Sequence, residues 1–175
     1  MIARPAVTEY LPFATTYVQL VPQGQDALEQ LRQQGAEVKA LLADLTNEQA
    51  LFRYAAGKWS IKESLVHLMD SERIFAYRAL RIGRGDQTPL PGFEQDDYVP
   101  NSGADTRPLA NILHEYDTVR AATLSLFDSF TPETYERTGI ASGGPLSIRA
   151  LAHIIPGHEA HHLRLFRERY LPGLS

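Results

Sequence analysis

Four stretches of this 175-residue chain repeat apolar residues three or four positions apart, which is the spacing of one face of an α-helix. The second stretch has the clearest ends, because Ser60 and Glu63 form a capping-box pattern and Gly83 and Gly85 follow the last apolar turn. The other three stretches cover residues 25–45, 106–130 and 147–170. Thr106 is the predicted cap of the third helix, and Ser147 is that of the fourth. No segment shows the two-residue alternation of a β-strand. The sequence therefore predicts an all-α fold, an antiparallel four-helix bundle.

The segments between these helices predict two further features. The first twenty-odd residues are rich in Pro, Thr and Tyr, and we expect them to form an extended N-terminal arm on the surface. The connection between the second and third helices spans residues 86–105, and loops of that length in compact domains are usually functional or disordered. Because it carries Phe93 and Tyr98, we predict an ordered lid in which these two rings bind substrate. No linker divides the chain, so we expect one domain over residues 1–175.

Composition excludes several classes of function. The chain contains no cysteine, so disulfides, thiolate nucleophiles, iron–sulfur clusters and cysteine zinc sites are excluded, and any metal must be held by His, Asp, Glu or water. A formal net charge of -4 predicts no binding to nucleic acid or to anionic membranes. No apolar run is long enough to span a membrane, and no signal peptide is visible, so a cytoplasmic protein is expected.

The motif H-E-x-x-H, from His158 through Glu159 to His162, stands in the last helical pattern. Residues four apart lie on one helix face, so both imidazoles can bind a single metal ion. A zinc peptidase is disfavoured, because few residues remain to supply a downstream ligand and no sheet is predicted. Pro156 and Gly157 come directly before the pair, where a kink serves either to position the ligands or only to improve packing.

A third ligand must come from another helix, and we predict His67, which lies on the pocket-facing side of the second helix. His161 competes with His162, since three residues also separate positions on one face. The apolar stripe that continues through His158 and His162 favours His162. The two remaining histidines, both expected at the surface, are His114 and His153.

Other polar residues near these positions have two interpretations each. Glu72 falls in the apolar stripe, so it either forms a buried pair with an arginine or orients an imidazole. Glu159 is a candidate general base, although a solvated position is favoured. Both carboxylates are therefore our catalytic candidates. Arg78, on the same face as His67, either binds an anionic substrate or satisfies groups of the protein. Trp59 is interpreted as a packing anchor rather than a substrate platform.

Several motifs resemble the DinB/YfiT-like superfamily of metalloenzymes in the same order along the chain. They are GKWSIKE at 57–63, HLMDSER at 67–73, GHEAHH at 157–162 and RERY at 167–170. The resemblance implies a four-helix bundle, often dimeric, with a divalent metal on His67, His158 and His162. It also implies chemistry similar to that of bacillithiol transferases and mycothiol-dependent maleylpyruvate isomerase. In such chemistry the metal binds a small thiol as thiolate and lowers its pKa.

We therefore predict a divalent-metal-dependent thiol S-transferase that joins a low-molecular-weight thiol to a small-molecule electrophile and forms a homodimer. Zn or Ni is the expected metal, with Fe and Mn as further candidates. One alternative is a metal-dependent hydrolase that uses metal-bound water, with Glu159 or Glu72 assisting. The other is a non-catalytic metal-binding stress protein whose ion is structural.

Overall fold

The computed structural model describes residues 1–174 and consists mainly of helices. The α-helices are α1 (Thr15–Gln19), α2 (Ala27–Leu42), α3 (Ile61–Gly83), α4 (Gln95–Asn101), α5 (Leu109–Asp128), α6 (Pro132–Tyr135) and α7 (Ile148–Leu165). A π-helical turn, Phe166–Tyr170, extends α7. Two strands, β1 (Thr138–Ala141) and β2 (Gly144–Ser147), form a hairpin before α7. None of the helices within residues 1–174 is both long and apolar enough to cross a membrane.

The four long helices α2, α3, α5 and α7 form a bundle, which confirms the predicted all-α four-helix bundle. Both α2 and α3 pack against α5 and α7, so α2 and α3 lie diagonally across the bundle although they are consecutive in the chain. Antiparallel neighbours are α2 with α5 and α3 with α7, whereas α3 with α5 and α2 with α7 run parallel. The contacts that fix these directions are Arg32–Asp128, Lys39–Asp117, Ser64–Tyr170, Gly83–Ile148, Gln34–Pro156, Glu37–Arg167, Ser60–Asp105 and Gly83–Phe130. The segment 43–60 therefore crosses one end of the bundle, where it helps to enclose a pocket.

Side-chain caps begin α3 and α5 in different ways. The Ser60 hydroxyl accepts a hydrogen bond from the Glu63 amide at 3.0 Å, and the Glu63 carboxylate accepts one from the Ser60 amide at 2.8 Å. This reciprocal pair confirms the predicted capping box. The predicted cap at Thr106 is wrong, because α5 begins at Leu109 and the Leu109 amide donates to the Asn47 side chain at 2.7 Å. A residue from the α2–α3 connection therefore caps α5.

The N-terminal segment is not the extended arm that the composition suggested. It forms two 3₁₀ turns and the short helix α1, which packs on α7. Contact is so close that a Cβ atom on Gly157 would stand 1.9 Å from the carbonyl oxygen of Tyr17. Next to it, the carbonyl oxygen of Pro156 accepts a hydrogen bond from the Gln34 side chain at 2.8 Å. The Pro156-Gly157 pair thus provides close contacts with both α1 and α2.

The hairpin was not predicted, because each strand has only four residues and their alternation is too short to recognise. Ser142 and Gly143 both have positive φ angles, 52° and 81°, as a two-residue hairpin turn of type I′ requires. The backbone of Leu90 hydrogen-bonds to this hairpin on both sides, accepting from Ser142 and donating to Ile140. The long loop is therefore fixed at Leu90, and its later part forms α4 over the bundle end, as the predicted lid requires.

Candidate metal centre

Three imidazoles meet between α3 and α7. His67 from α3 faces His158 and His162 from α7, and one nitrogen of each ring lies within 4.8 Å of the others. The Nε2 atoms of His67 and His158 are 3.1 Å apart. Ring centroids are separated by 4.8–5.1 Å across the three pairs. The structure therefore brings together all three metal ligands that the sequence predicted.

Burial keeps these rings uncharged. It lowers the pKa of His67 to about 4, with a smaller contribution from the charge on His161. The pKa values of His158 and His162 lie well below the ordinary value, first because both are buried and then because the other imidazoles repel a further positive charge. Neutral imidazoles present nitrogen lone pairs, which is the form that binds a metal.

The cluster fits a divalent cation. Metal–nitrogen bonds of about 2.0–2.1 Å place two nitrogens of a tetrahedral site about 3.3 Å apart, close to the separation of His67 and His158. A single hydrogen bond between two rings would leave the third unsatisfied, whereas one cation satisfies all three. Among the described residues, no carboxylate joins the cluster as a fourth ligand. Three protein ligands with a free position are typical of catalytic rather than structural sites.

The cluster forms part of the wall of a pocket of about 710 Å³. Two aromatic side chains contact the ligands from this wall. Trp59 lies 4.7 Å from the ring of His67, and Tyr17 lies edge-on to His158 at 5.2 Å. Residues of α4, including Asp96, also line this pocket. The volume is typical of small-molecule sites.

Comparison with known proteins identifies the family. The sequence matches the family model of the DinB superfamily over residues 30–166. This chain belongs to the DinB superfamily. It is 23% identical over 121 residues to the protein named "Putative metal-dependent hydrolase OB0413" from Oceanobacillus iheyensis, covering 68% of this chain and 69% of the relative. It shares the fold of YfiT from Bacillus subtilis, described as "a probable metal-dependent hydrolase with an unusual four-helix bundle topology". That comparison has a TM-score of 0.70 at 14% identity and covers 99% of this chain and 92% of YfiT.

Trp59 and Tyr17 are site residues of this DinB protein that sequence reasoning missed. Trp59 does anchor packing, because its backbone carbonyl accepts a hydrogen bond from the Tyr170 hydroxyl at 2.9 Å, but its ring also contacts His67. Its position immediately before Ser60, the cap of the helix that carries His67, was the available signal. Tyr17 gave no such signal, because its proximity to His158 depends on how α1 packs against α7.

The two catalytic candidates Glu72 and Glu159 lie outside the walls of this pocket. Glu159 is only 2% exposed, whereas the sequence favoured a solvated position. Its carboxylate accepts hydrogen bonds from the Tyr116 hydroxyl and, at 2.6 Å, from Arg120. The same arginine binds Glu72 at 2.9 Å, so Glu72 adopts the arginine-paired alternative. Burial raises the pKa of Glu159 to about 7, although Arg120 opposes the shift. The geometry gives neither carboxylate a place beside the imidazoles, and their catalytic role stays a prediction.

The remaining histidines of this DinB protein separate clearly by position. His161 is partly exposed on the pocket wall and stands outside the ligand cluster, so the structure favours His162 over its competitor. His114 is exposed, as predicted. The surface position predicted for His153 is wrong, because it is buried near the start of α7, with its ring 2.9 Å from the carbonyl oxygen of Arg149.

A second compartment of about 530 Å³ adjoins the first and includes two of the three predicted substrate-binding residues, Arg78 and Phe93. His158 forms part of both compartments, so the second one reaches the metal centre. Tyr98 contacts Phe93 at 5.6 Å but is 47% exposed and lies outside both walls. Substrate binding by these three residues remains a prediction, and only Arg78 and Phe93 have the position that it requires.

Proposed function

We propose that this DinB protein is a metal-dependent S-transferase that joins the sulfur of a small thiol to an electrophilic carbon. The thiol loses its proton, a carbon–sulfur bond forms, and the electrophile either loses a leaving group or takes up a proton. The observation that carries the proposal is the cluster of His67, His158 and His162 on a pocket wall, without a fourth ligand among the described residues. A divalent cation bound by these rings would stabilise the thiolate form of a thiol and lower its pKa.

The protein's own side chains position the imidazoles and exclude water from around them. The ring of Trp59 packs against His67, and the ring of Tyr17 contacts His158 edge-on. The Trp59 segment is itself fixed, because the Tyr170 hydroxyl bonds to both the Trp59 carbonyl and the Ser64 hydroxyl. These contacts set the directions of the imidazole nitrogens before any ligand arrives. Such preorganisation is what a catalytic metal site requires of its surroundings.

The position of the two predicted catalytic carboxylates supports the transferase over a hydrolase. Hydrolysis by water is commonly assisted by a carboxylate next to the metal. Glu72 and Glu159, which would fill that role, instead bind Arg120 outside the pocket. A thiol needs less assistance, because its pKa is already near 8.5 before a metal lowers it further. The metal-dependent hydrolase remains the second candidate, since the relatives described above carry that name.

The metal itself is tested first. We expect Zn or Ni, with Fe or Mn as alternatives, at one ion per chain in protein purified without a histidine tag and measured by elemental analysis. His67→Ala should lose the ion, whereas His114→Ala, which removes an exposed imidazole far from the cluster in sequence, should keep it. Stoichiometric metal in His67→Ala would remove that residue from the ligand set.

The reaction is tested with a panel of small thiols and monochlorobimane, whose fluorescence rises when a thiol displaces its chloride. We expect conjugation above the uncatalysed rate that stops with a chelator and returns with the metal. His67→Ala should lack it, and His114→Ala should match the parent protein. A metal-loaded protein that accelerates no thiol in the panel would contradict the transferase. Chelator-sensitive cleavage of ester or amide substrates, without conjugation, would favour the hydrolase instead.

Two further measurements address the non-catalytic alternative and the oligomeric state. If the metal-loaded protein catalyses neither reaction and unfolds when the metal is removed, the non-catalytic metal-binding protein becomes the better description. The predicted homodimer is tested independently by the molar mass that light scattering gives as the protein elutes from a size-exclusion column.

A further inference from the structure

Arg78 is a buried arginine that has no carboxylate partner among the described residues. It is 4% exposed, and one terminal nitrogen donates to the Pro91 carbonyl at 2.8 Å and to the Ser142 hydroxyl at 3.0 Å. Both acceptors are neutral. Its pKa is lowered by burial, and no charged group offsets that effect. Arg120, the other buried arginine of the bundle, lies instead between two carboxylates.

Arg78 forms part of the wall of the second compartment. Phe93 from the long loop stands 5.8 Å from the Arg78 guanidinium, face towards the guanidinium carbon. On α3, Arg78 follows His67 by eleven positions, which is three turns and brings both to the same helix face. Ser71, between them on that face, also forms part of the wall. The compartment therefore runs along α3 from the metal centre to an arginine, about 16 Å apart along the helix axis.

A buried guanidinium without a negative partner is unfavourable, because burying a charge costs free energy unless it is paired. The two carboxylates on this wall, Glu94 and Asp96, belong to exposed residues and form no ion pair with Arg78. A carboxylate or similar oxyanion that enters the compartment would supply the missing pair. Arginine suits such groups because its planar fork can donate two parallel hydrogen bonds.

We propose that Arg78 binds an anionic group, most simply a carboxylate, at the end of the substrate remote from the metal centre. The substrate is then an elongated molecule with its reactive atom near His158 and its negative group near Phe93. This inference rests on the proposed function only for the identity of the reactive end. The anion site itself is independent of which reaction the protein catalyses.

Two matched ligand series test the proposal by calorimetry on the metal-loaded protein. The first contains mercapto-carboxylic acids of three, six and eight carbons, and the second contains the mercapto-alcohols of the same lengths. At the length that reaches Arg78, the acid should bind about 10- to 100-fold more tightly than the alcohol, as a charge-assisted hydrogen bond would give. Shorter acids should show no preference. The ratio of acid to alcohol affinity is the readout, because it cancels any general effect on the pocket.

Variants separate recognition from a purely structural role. Arg78→Met should reduce the ratio to about 1, and Arg78→Lys should retain part of it. Ser142→Ala removes one acceptor of Arg78 but keeps the positive charge, so the ratio should persist. Arg81→Met is the matched control, since Arg81 lies on the same helix, is paired with Asp86 and lies outside both compartments. An unchanged ratio in Arg78→Met would overturn the proposal and leave Arg78 as a loop anchor.

A third measurement keeps the test independent of thiol binding and of variant folding. Hexanoate and hexanol are added to the metal-free parent protein, and the side-chain Nε–Hε resonance of Arg78 is followed by NMR. Hexanoate alone should shift it. If hexanoate shifts this resonance while no thiol binds the metal-loaded protein, the transferase fails and the anion site stands. If the acids bind no more tightly than the alcohols at any length and hexanoate leaves the resonance unchanged, the anion site is refuted.

Discussion

Replacing Arg120 by methionine should destabilise this protein strongly, because this one side chain joins four helices inside the bundle. From α5, its guanidinium donates to Glu72 on α3 at 2.9 and 3.1 Å and to Glu159 on α7 at 2.6 Å. It also donates to the backbone carbonyl of Leu31 on α2 at 2.8 Å. All three charged side chains are buried. Removing the only cation of this network leaves two buried carboxylates without a counter-charge.

The size of the effect follows from that imbalance. Breaking a buried ion pair by removing one partner costs about 3–5 kcal/mol, and here two carboxylates share the loss, so the upper half of that range is expected. Whole domains are stable by only about 5–15 kcal/mol, so the variant should lose a large part of its stability. Glu72→Gln is the matched control. It leaves Arg120 a full counter-charge in Glu159 but replaces one of the two oxygens that Arg120 contacts by an amide NH2 group, so it should cost less than Arg120→Met, about 1–3 kcal/mol.

Urea unfolding of the metal-free proteins at pH 7 and pH 5 measures both effects. Burial raises the pKa of Glu159 to about 7, and the loss of Arg120, which opposes this shift, raises it further. A carboxyl group whose pKa is higher in the folded state binds a proton more tightly there, so its unfavourable effect grows as the pH rises above the unfolded value near 4.3. The deficit of Arg120→Met should therefore be smaller at pH 5 than at pH 7. A deficit below 1 kcal/mol, or one that grows towards acid, would refute this account.

Three further changes test separate parts of the fold. Gly157→Ala places a methyl carbon 1.9 Å from the Tyr17 carbonyl oxygen, so the free energy of unfolding in urea should fall by at least about 1–3 kcal/mol and the near-UV spectrum should change. Values like those of the parent protein in both measurements would contradict the close contact. Ser60→Ala removes the α3 cap and should cost about 1 kcal/mol in the same assay, and a cost near zero would show that the cap is dispensable. A hydrogen bond from Arg149 lowers the pKa of Glu9 to about 2, so this pair stabilises the fold at pH values above about 4.3 and ceases to do so as the pH falls towards 2. Between pH 7 and pH 3 the Tm of Glu9→Gln should therefore fall less than that of the parent protein, by the equivalent of about 1 kcal/mol or less because the pair is partly exposed. Identical Tm profiles for the two proteins would contradict this role of the pair.

The features that were predictable from the sequence depend on residues close together in the chain. The capping box at Ser60 and Glu63 involves one helical turn, and the pairing of His158 with His162 follows from helix geometry alone. His67 was harder, because its partners lie on another helix. It was predicted because small polar neighbours on the same face indicated a pocket and because the family motif included it.

The errors concern residues whose surroundings come from distant segments. Glu159 was expected on a solvated face, yet α7 contacts α1, α2 and α3 and is therefore covered on nearly every side. The burial of His153 and the contact of Tyr17 with His158 have the same origin, since both depend on the N-terminal segment folding back onto α7. Periodicity identifies one apolar face of a helix but does not show how many other elements pack around it.

The two carboxylates of the charged network lie on α3 and α7, the same helices as the imidazole cluster, and this explains how the metal centre can lack a carboxylate. Glu159 follows His158 directly, about 100° around α7, and Glu72 follows His67 by five positions on α3. Arg120 binds both carboxylates and so fixes the relative position of α3 and α7. The imidazoles on the pocket side are thereby held at a separation that suits one cation, without a supporting acid beside them. Arg120 neutralises the charges of Glu72 and Glu159 deep in the bundle, away from the compartment in which we propose that an anionic group binds, so the exposed carboxylates of Glu94 and Asp96 are the acidic groups left on its wall.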